Sequence, residues 1–420
     1  MTRALPALLF ALALLLASAP LAGGRGRYGG VLQVALVAPA SPVTPASADA
    51  PVDALRLALT HQPLCRLVTF SRPGPRALRL ELLPGVDPAL VTAQLARVRD
   101  GDAPARSLLA NVAAWSTSPR TVDLELSGPA PALERALCHP AFSLPLGPFR
   151  AKGARLEPVD AQPSGRPWLD GVALQVTDAR TAERLLAQRK VHLAVGVPGQ
   201  GDAPQLFATA LRLGPGAGGP FRAAVESTLD RGDLARFFVA APAEPLTALV
   251  PLALGLDGAP FTRSVRLAPL SPVRDLALFF DDAAEHERAI AQRLQVKLQP
   301  LGYRLALKPT PREALRARAL AENEVALVSV LLPPTAVGTL QLWCDVAGQR
   351  ARLPALLQQL GAAADPEAKA RELAVSLGAE LPLVPLVTRG LGLVAAPDVQ
   401  HLGRDEVGLP RLDDVFLSPE

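Results

Sequence analysis

The sequence predicts an α/β protein of two lobes, with a small α+β subdomain inserted in the first. Three observations lead there. Residues Arg274–Leu332 read as strand, helix, strand, helix, strand. Residues 170–195 read as a second strand–helix–strand unit. Between the two lies a glycine-rich run, Gly214-Pro215-Gly216-Ala217-Gly218-Gly219-Pro220, which suits a connector near residues 214–231. Strands joined through helices run parallel with right-handed crossovers. Open parallel sheets take ligands at the carboxyl ends of their strands, and a chain crossing between two such lobes makes a cleft.

The 274–332 unit carries the clearest signals. Leu276-Ala277-Leu278-Phe279-Phe280 is a continuous apolar run, as in a strand buried on both faces. Asp281-Asp282 follows and can cap a helix, with Glu285 placed to reach back. Ile290, Leu294, Leu298 and Leu301 recur at helical spacing, and Gly302 suits a left-handed C-cap. Tyr303–Lys308 alternates as a strand. Thr310-Pro311-Arg312-Glu313 has the form of a capping box with proline at the first helical position. Glu324–Leu332 is a third apolar strand.

Composition narrows the class. A chain of 420 residues with 49% hydrophobic content has ample material for a core and for more than one domain. Net charge is only +4, and the lysines are five: Lys152, Lys190, Lys297, Lys308 and Lys369. No basic cluster is interleaved with aromatics, so a nucleic-acid partner is not expected. The 43 prolines are spread along the chain and read as many short loops.

In chain order, Arg3, the apolar run Leu5–Leu16 and the small residues Ala17–Gly24 have the order of a secretory signal, taken as residues 1–23. The run is about a dozen residues, short of the ~20 of a spanning helix. Export follows, with an uncleaved signal acting as a tether as the alternative. Gly29–Val37 is a glycine-led strand. Asp53–Thr60 and Pro88–Val98 read as helices, Leu64–Phe70, Ala77–Leu83 and Thr121–Leu126 as strands, and Ala105–Trp115 as a further helix. These lie in a subdomain of about residues 41–145. Asp178 can cap the helix that carries Ala182, Leu185 and Leu186, Leu206–Leu213 is strand-like, and Phe221–Phe238 is helical. Arg352–Leu360 and Asp365–Gly378 are helices, and Leu381–Val387 and Leu391–Ala395 strands.

Little in the chain points to catalysis. His61, His139, His192, His286 and His401 include no helical ligand pair, and there is no Gly-x-Ser-x-Gly elbow. No catalytic residue, metal or cofactor is expected. The three cysteines, Cys65, Cys138 and Cys344, admit one disulfide of unspecified pairing or three buried thiols. Trp343-Cys344-Asp345 stands out as a cluster, which a core tryptophan beside a buried thiol explains.

Several stretches, in order, resemble the bacterial extracellular solute-binding proteins of family 5, the peptide- and nickel-binding components of ABC transporters. They are Gly29–Ala35, Leu78–Val86, Arg99-Asp100-Gly101 with Ala103-Pro104-Ala105, Thr121–Leu126, His139-Pro140-Ala141-Phe142 and Gly147-Pro148-Phe149. Trp168-Leu169-Asp170-Gly171-Val172, Pro220–Arg231 and Leu381–Leu386 continue the series. The resemblance implies a two-lobed, type II periplasmic-binding-protein-like fold. Lobe I is expected over 24–230, lobe II over 231–385, and a C-terminal segment, 386–420, returning toward lobe I. It also implies a periplasmic monomer that closes on a small solute or peptide and delivers it to ABC permease subunits in the inner membrane. The sequence departs from the family's pattern at His192, Glu324 and Val330, and at Leu331-Leu332-Pro333-Pro334. Those departures motivate the alternative of a degenerate homologue serving as an envelope sensor or structural partner. Loops after the strand ends nominate Phe149, Ser329 and Val330 for the ligand cleft, with Trp343 and Asp345 substituting for the missing tryptophan and aspartate.

Overall fold

The computed structural model describes residues 29–37, 45, 50–152, 155–163, 165–197, 205–239, 242–256, 269 and 272–418. The expected signal at 1–23 lies outside them. The first lobe opens with β1 (Val31–Leu36) and α1 (Pro51–Thr60), whose proline sits in the first turn, where its missing N–H costs no hydrogen bond.

The chain then builds the inserted unit from β2 (Val68–Gly74), β3 (Ala77–Leu82), α2 (Pro88–Asp100), β4 (Val112–Thr117) and β5 (Thr121–Leu126). The antiparallel order is β2-β3-β5-β4. Period-two alternation puts Leu78, Leu80 and Leu82 with Val122, Leu124 and Leu126 on one face, in a core shared with Val91 and Leu95 of α2. The helix expected over 105–115 is not formed. Pro104–Leu109 is a 3-10 turn, and Val112–Thr117 pairs with β5 as the edge strand, so sheet pairing overrides the local apolar pattern. A Cys65–Cys138 disulfide ties this unit together, and Cys344 is free and buried.

The first lobe resumes with β6 (Phe149–Lys152), β7 (Arg155–Pro158), β8 (Gly171–Val176), α3 (Ala179–Ala187) and β9 (Leu193–Val195). β1 lies between β8 and β9 and is parallel to both. Asp178 caps α3 as expected, accepting from the Thr181 N–H at 2.9 Å.

The second lobe contains β10 (Phe207–Leu213), α4 (Gly218–Thr228), α5 (Arg231–Phe237), β11 (Ala243–Pro245), β12 (Arg274–Asp281), α6 (Glu285–Leu298), β13 (Tyr303–Thr310), α7 (Arg312–Ala317) and β14 (Glu324–Leu331). It is completed by α8 (Ala336–Val346), α9 (Leu353–Gly361), α10 (Pro366–Glu380) and β15 (Leu383–Arg389). Its sheet runs β11-β15-β10-β14-β12-β13. β12 is parallel to β13 and β14, as the strand–helix–strand pattern requires. β16 (Leu393–Ala395) then returns to the first lobe and pairs antiparallel with β9.

Two expectations need correction here. β10 pairs with β14 and β15, so a boundary at 230/231 is too late. The chain passes to the second sheet between β9 and β10 and returns between β15 and β16. The glycine run at 214–220 is a turn into α4, not a connector between lobes. Gly214 donates to the Glu324 carbonyl, and a Cβ there would lie 2.2 Å from the Ala321 carbonyl oxygen. That glycine serves close backbone approach, not a flexible passage. Neither capping motif in the 274–332 unit forms: α6 begins after Ala284 and α7 after Pro311, without side-chain caps. Gly302 does adopt the left-handed conformation, at φ +82°. α8, which the sequence pattern did not announce, is buried along its whole length.

A continuous apolar core joins α8, α9 and α10 to Ala54 and Leu57 of α1. Gly361, at the end of α9, meets Pro129 of the inserted unit so closely that a Cβ would lie 2.1 Å from the proline Cβ. The inserted unit is thus packed on the second lobe's helical layer as well as attached to the first lobe.

Candidate functional site

A cavity of about 650 Å³ opens where β14, α7 and the end of α8 face the 102–106 loop of the inserted unit. Its apolar wall is Leu213, Leu315, Leu320, Val328 and Val330. Its polar wall includes Arg106, Arg212, Asp281, Glu287, Arg312, Ser329 and Asp345. It runs along β14 from Arg212, opposite Ala326 near the strand's start, to Val330 near its end, and reaches Asp281 at the carboxyl end of β12, the edge where a parallel sheet takes ligands.

β12 ends on Asp281 and β13 leads into Arg312, so parallel pairing delivers an acid and a base to the same edge. Arg312 Nε donates to Asp281 Oδ2 at 2.6 Å. Its Nη1 lies 3.4 Å from Asp53 Oδ2 on α1, which links the second lobe to the first. Burial raises the Asp53 pKa, opposed by the charges of Arg312 and Arg56. The first turn of α6 supplies Glu287, whose Oε2 accepts the Asp281 N–H at 2.8 Å and whose Oε1 accepts the Ser329 hydroxyl at 2.6 Å. Burial pushes this carboxyl up to about 7, against those two hydrogen bonds. Ser329 Oγ is also 2.9 Å from Thr209 Oγ1 and 3.2 Å from His286 Nε2. Burial, then the charges of Arg389 and Arg312, hold the His286 pKa well below the usual range, so its ring is neutral. Arg389, at the end of β15, is pushed down to about 10 by burial, and its Nε has no hydrogen-bond partner among the described residues.

On the opposite wall Arg106 grips Asp345 with a two-pronged contact, Nε to Oδ2 at 2.9 Å and Nη2 to Oδ1 at 3.1 Å. The hydrogen bond to Asp345 raises the Arg106 pKa. Asp345 is therefore committed to the inserted unit.

Of the residues nominated from sequence, Ser329, Val330 and Asp345 meet at this cavity. Phe149 and Trp343 do not line it. Phe149 is 1% exposed in the first lobe's core, because it begins β6 and points inward. Trp343 is fully buried in α8, and its Nε1–H donates to the Leu249 carbonyl at 2.7 Å. His192 is also elsewhere, accepting the Gln33 N–H on Nδ1 at 2.9 Å. Sequence reasoning missed Asp53, Glu287, Arg312, Arg389 and Arg212. One signal was available: Asp281 and Arg389 each end a continuous apolar strand, which is the ligand edge of such a sheet.

No family model matches the chain, and no curated protein matches it. Solved structures do. AgaA from A. tumefaciens R10, in complex with agropinic acid, has a TM-score of 0.72 at 16% identity, covering 93% of this chain and 99% of that one. DppA from Helicobacter pylori, in complex with the peptide STSA, has a TM-score of 0.70 at 15% identity, covering 94% and 99%. NikA from Brucella suis, in complex with Fe(III)-EDTA, has a TM-score of 0.67 at 13% identity, covering 93% and 100%. With near-complete coverage of both partners in every case, the chain has the two-lobed fold of the periplasmic solute-binding proteins.

Proposed function

We propose that this chain is the exported substrate-binding component of an ABC transporter. It binds a small solute or peptide in the cavity described above and delivers it to permease subunits in the inner membrane, acting as a monomer in the periplasm. The observation that carries this reading is Arg312, which contacts an acid on each lobe at the rim of a cavity of ligand size. A solute that adds contacts to both lobes favours their closed arrangement by its differential affinity. AgaA, DppA and NikA hold three unlike small solutes on this fold, which supports solute capture without fixing the ligand. Ser329 and Val330 contribute wall contacts, while Arg106 and Asp345 hold the far wall in place. The role is binding, with no bond made or broken.

The mature protein should be screened by thermal shift against pools of short peptides and small solutes, with small-angle scattering on each hit. Stabilisation accompanied by a smaller radius of gyration is expected. No stabilisation by any pool, with an unchanged scattering profile, would overturn the proposal.

A further inference from the structure

The charges that line the cavity are unevenly answered. Each of its inner acids has protein partners: Asp281 holds Arg312 and the Ala283 N–H, Glu287 holds Ser329 and the Asp281 N–H, and Asp345 holds Arg106. Arg106, Arg312 and Arg318 each face a carboxylate, those of Asp345, Asp281 and Glu324. Arg212 differs. It stands on β10 opposite Ala326 of β14, and its Nη2 donates to the Arg318 carbonyl. Among the described residues its Nε has no hydrogen-bond partner and no carboxylate forms an ion pair with it. Burial, then the charge of Arg318, lower its pKa from the usual arginine value, yet a guanidinium stays protonated in proteins.

A buried cation without a counter-charge is costly, whereas the acids here are already satisfied. A cationic solute would have to displace Arg312 or Arg106 from its partner; an anionic one would displace nothing. We infer that the cavity takes a small organic carboxylate, with its charged group on Arg212 and its apolar body against Leu315, Leu320, Val328 and Val330. This rests on the solute-binding reading above and adds the ligand's charge. Arg212 is the specificity-determining residue, because hydrogen bonds and charge select for an oxyanion while the aliphatic wall accepts many chains.

Hexanoate, hexylamine and hexanol share one chain and differ in charge, so they separate the two contributions. Each is titrated into the wild-type protein, with calorimetry and thermal shift as readouts. Hexanoate should bind at least tenfold more tightly than either other compound, and the margin should shrink with added salt. Arg212→Gln should abolish the preference, and Arg212→Lys should restore part of it. Equal binding of all three, or tighter binding of hexylamine, overturns the inference, as does an undiminished hexanoate preference in the glutamine variant. The wild-type ranking decides the matter even where a variant fails to fold. Peptides that close the lobes while hexanoate does not bind remove the anion assignment and leave solute capture standing. Hexanoate binding without lobe closure does the reverse.

Discussion

Arg312 reaches Asp53 across the two lobes, Nη1 to Oδ2 at 3.4 Å, while its Nε holds Asp281 at 2.6 Å on its own lobe. The two acids are unequal partners. The Asp281 side chain is 3% exposed and takes the shorter bond, whereas Asp53 is 13% exposed, and burial outweighs the arginine in setting its pKa.

That inequality fixes the result of substitution. Arg312→Gln strands Asp281 in the interior and should cost about 3 kcal/mol, the scale of breaking a buried pair from one side. Asp53→Asn should change stability by less than about 1 kcal/mol, since a burial penalty disappears together with the attraction. Urea unfolding of both variants measures the contrast; equal losses would show that the link between lobes, and not the Asp281 pair, dominates.

Glu287 makes stability depend on pH in a defined direction. Its folded pKa is raised from 4.5 to about 7, so between those values the folded protein holds a proton that the unfolded chain has released. Stability from this group therefore falls as pH rises from about 4.5 to about 7 and is level above, a loss of about 3 kcal/mol. His286 acts oppositely below pH 6.5, because its folded pKa is lowered, and Asp405, raised to about 6, adds a slope of the same sign as Glu287. The difference between wild type and Glu287→Gln cancels both. Denaturant midpoints from pH 5 to 8 should show the variant gaining on wild type as pH rises; parallel curves would place the Glu287 proton elsewhere.

The Cys65–Cys138 bridge spans a sequence separation of 73 residues. Loop-closure entropy assigns it about 4 kcal/mol, and the double serine variant should lose about that much, concentrated in the inserted unit. Hydrogen exchange should quicken in β2–β5 before the second lobe's sheet. A thiol reagent should find no reactive cysteine in the native protein and one, Cys344, after denaturation without reductant.

Gly361→Ala tests the contact between the inserted unit and α9. The added methyl would lie 2.1 Å from Pro129 Cβ, so one surface must withdraw. A cost of about 1–3 kcal/mol is expected, typical of overpacking. Faster exchange at 104–109 and in α8 would accompany it, and a neutral result would mean that the two surfaces separate freely.

The parts legible in the sequence are those whose cause is local. β12 and β14 are buried on both faces and so read as unbroken apolar runs, and Asp178 caps its helix as its position suggests. Asp281 has the position of a cap but does not act as one, because its partner, Arg312, comes from the next crossover. α8 leaves no periodic signal in the sequence, because a helix buried on every side has no polar face to mark its period. The cavity's charged residues Arg106, Arg212, Glu287 and Arg312, and the Asp53 that Arg312 reaches, come from five separate elements. Each alone looks like a surface charge, and only strand order brings them together. Trp343 does not substitute for the missing tryptophan of the family pattern, because its indole belongs to the core.

The second sheet is continuous in sequence from Phe207 to Arg389, whereas the first is completed only by Leu393–Ala395 laid beside β9. As the chain emerges from its N-terminal end, everything needed for the second sheet is present before the first can be finished. The first half to appear is thus the last to be sealed, and its open strand edge waits on Leu393–Ala395. A chain under synthesis therefore carries an unfinished first lobe until almost all of both sheets has been made, and removing Leu393–Ala395 would damage the half of the molecule that was made first.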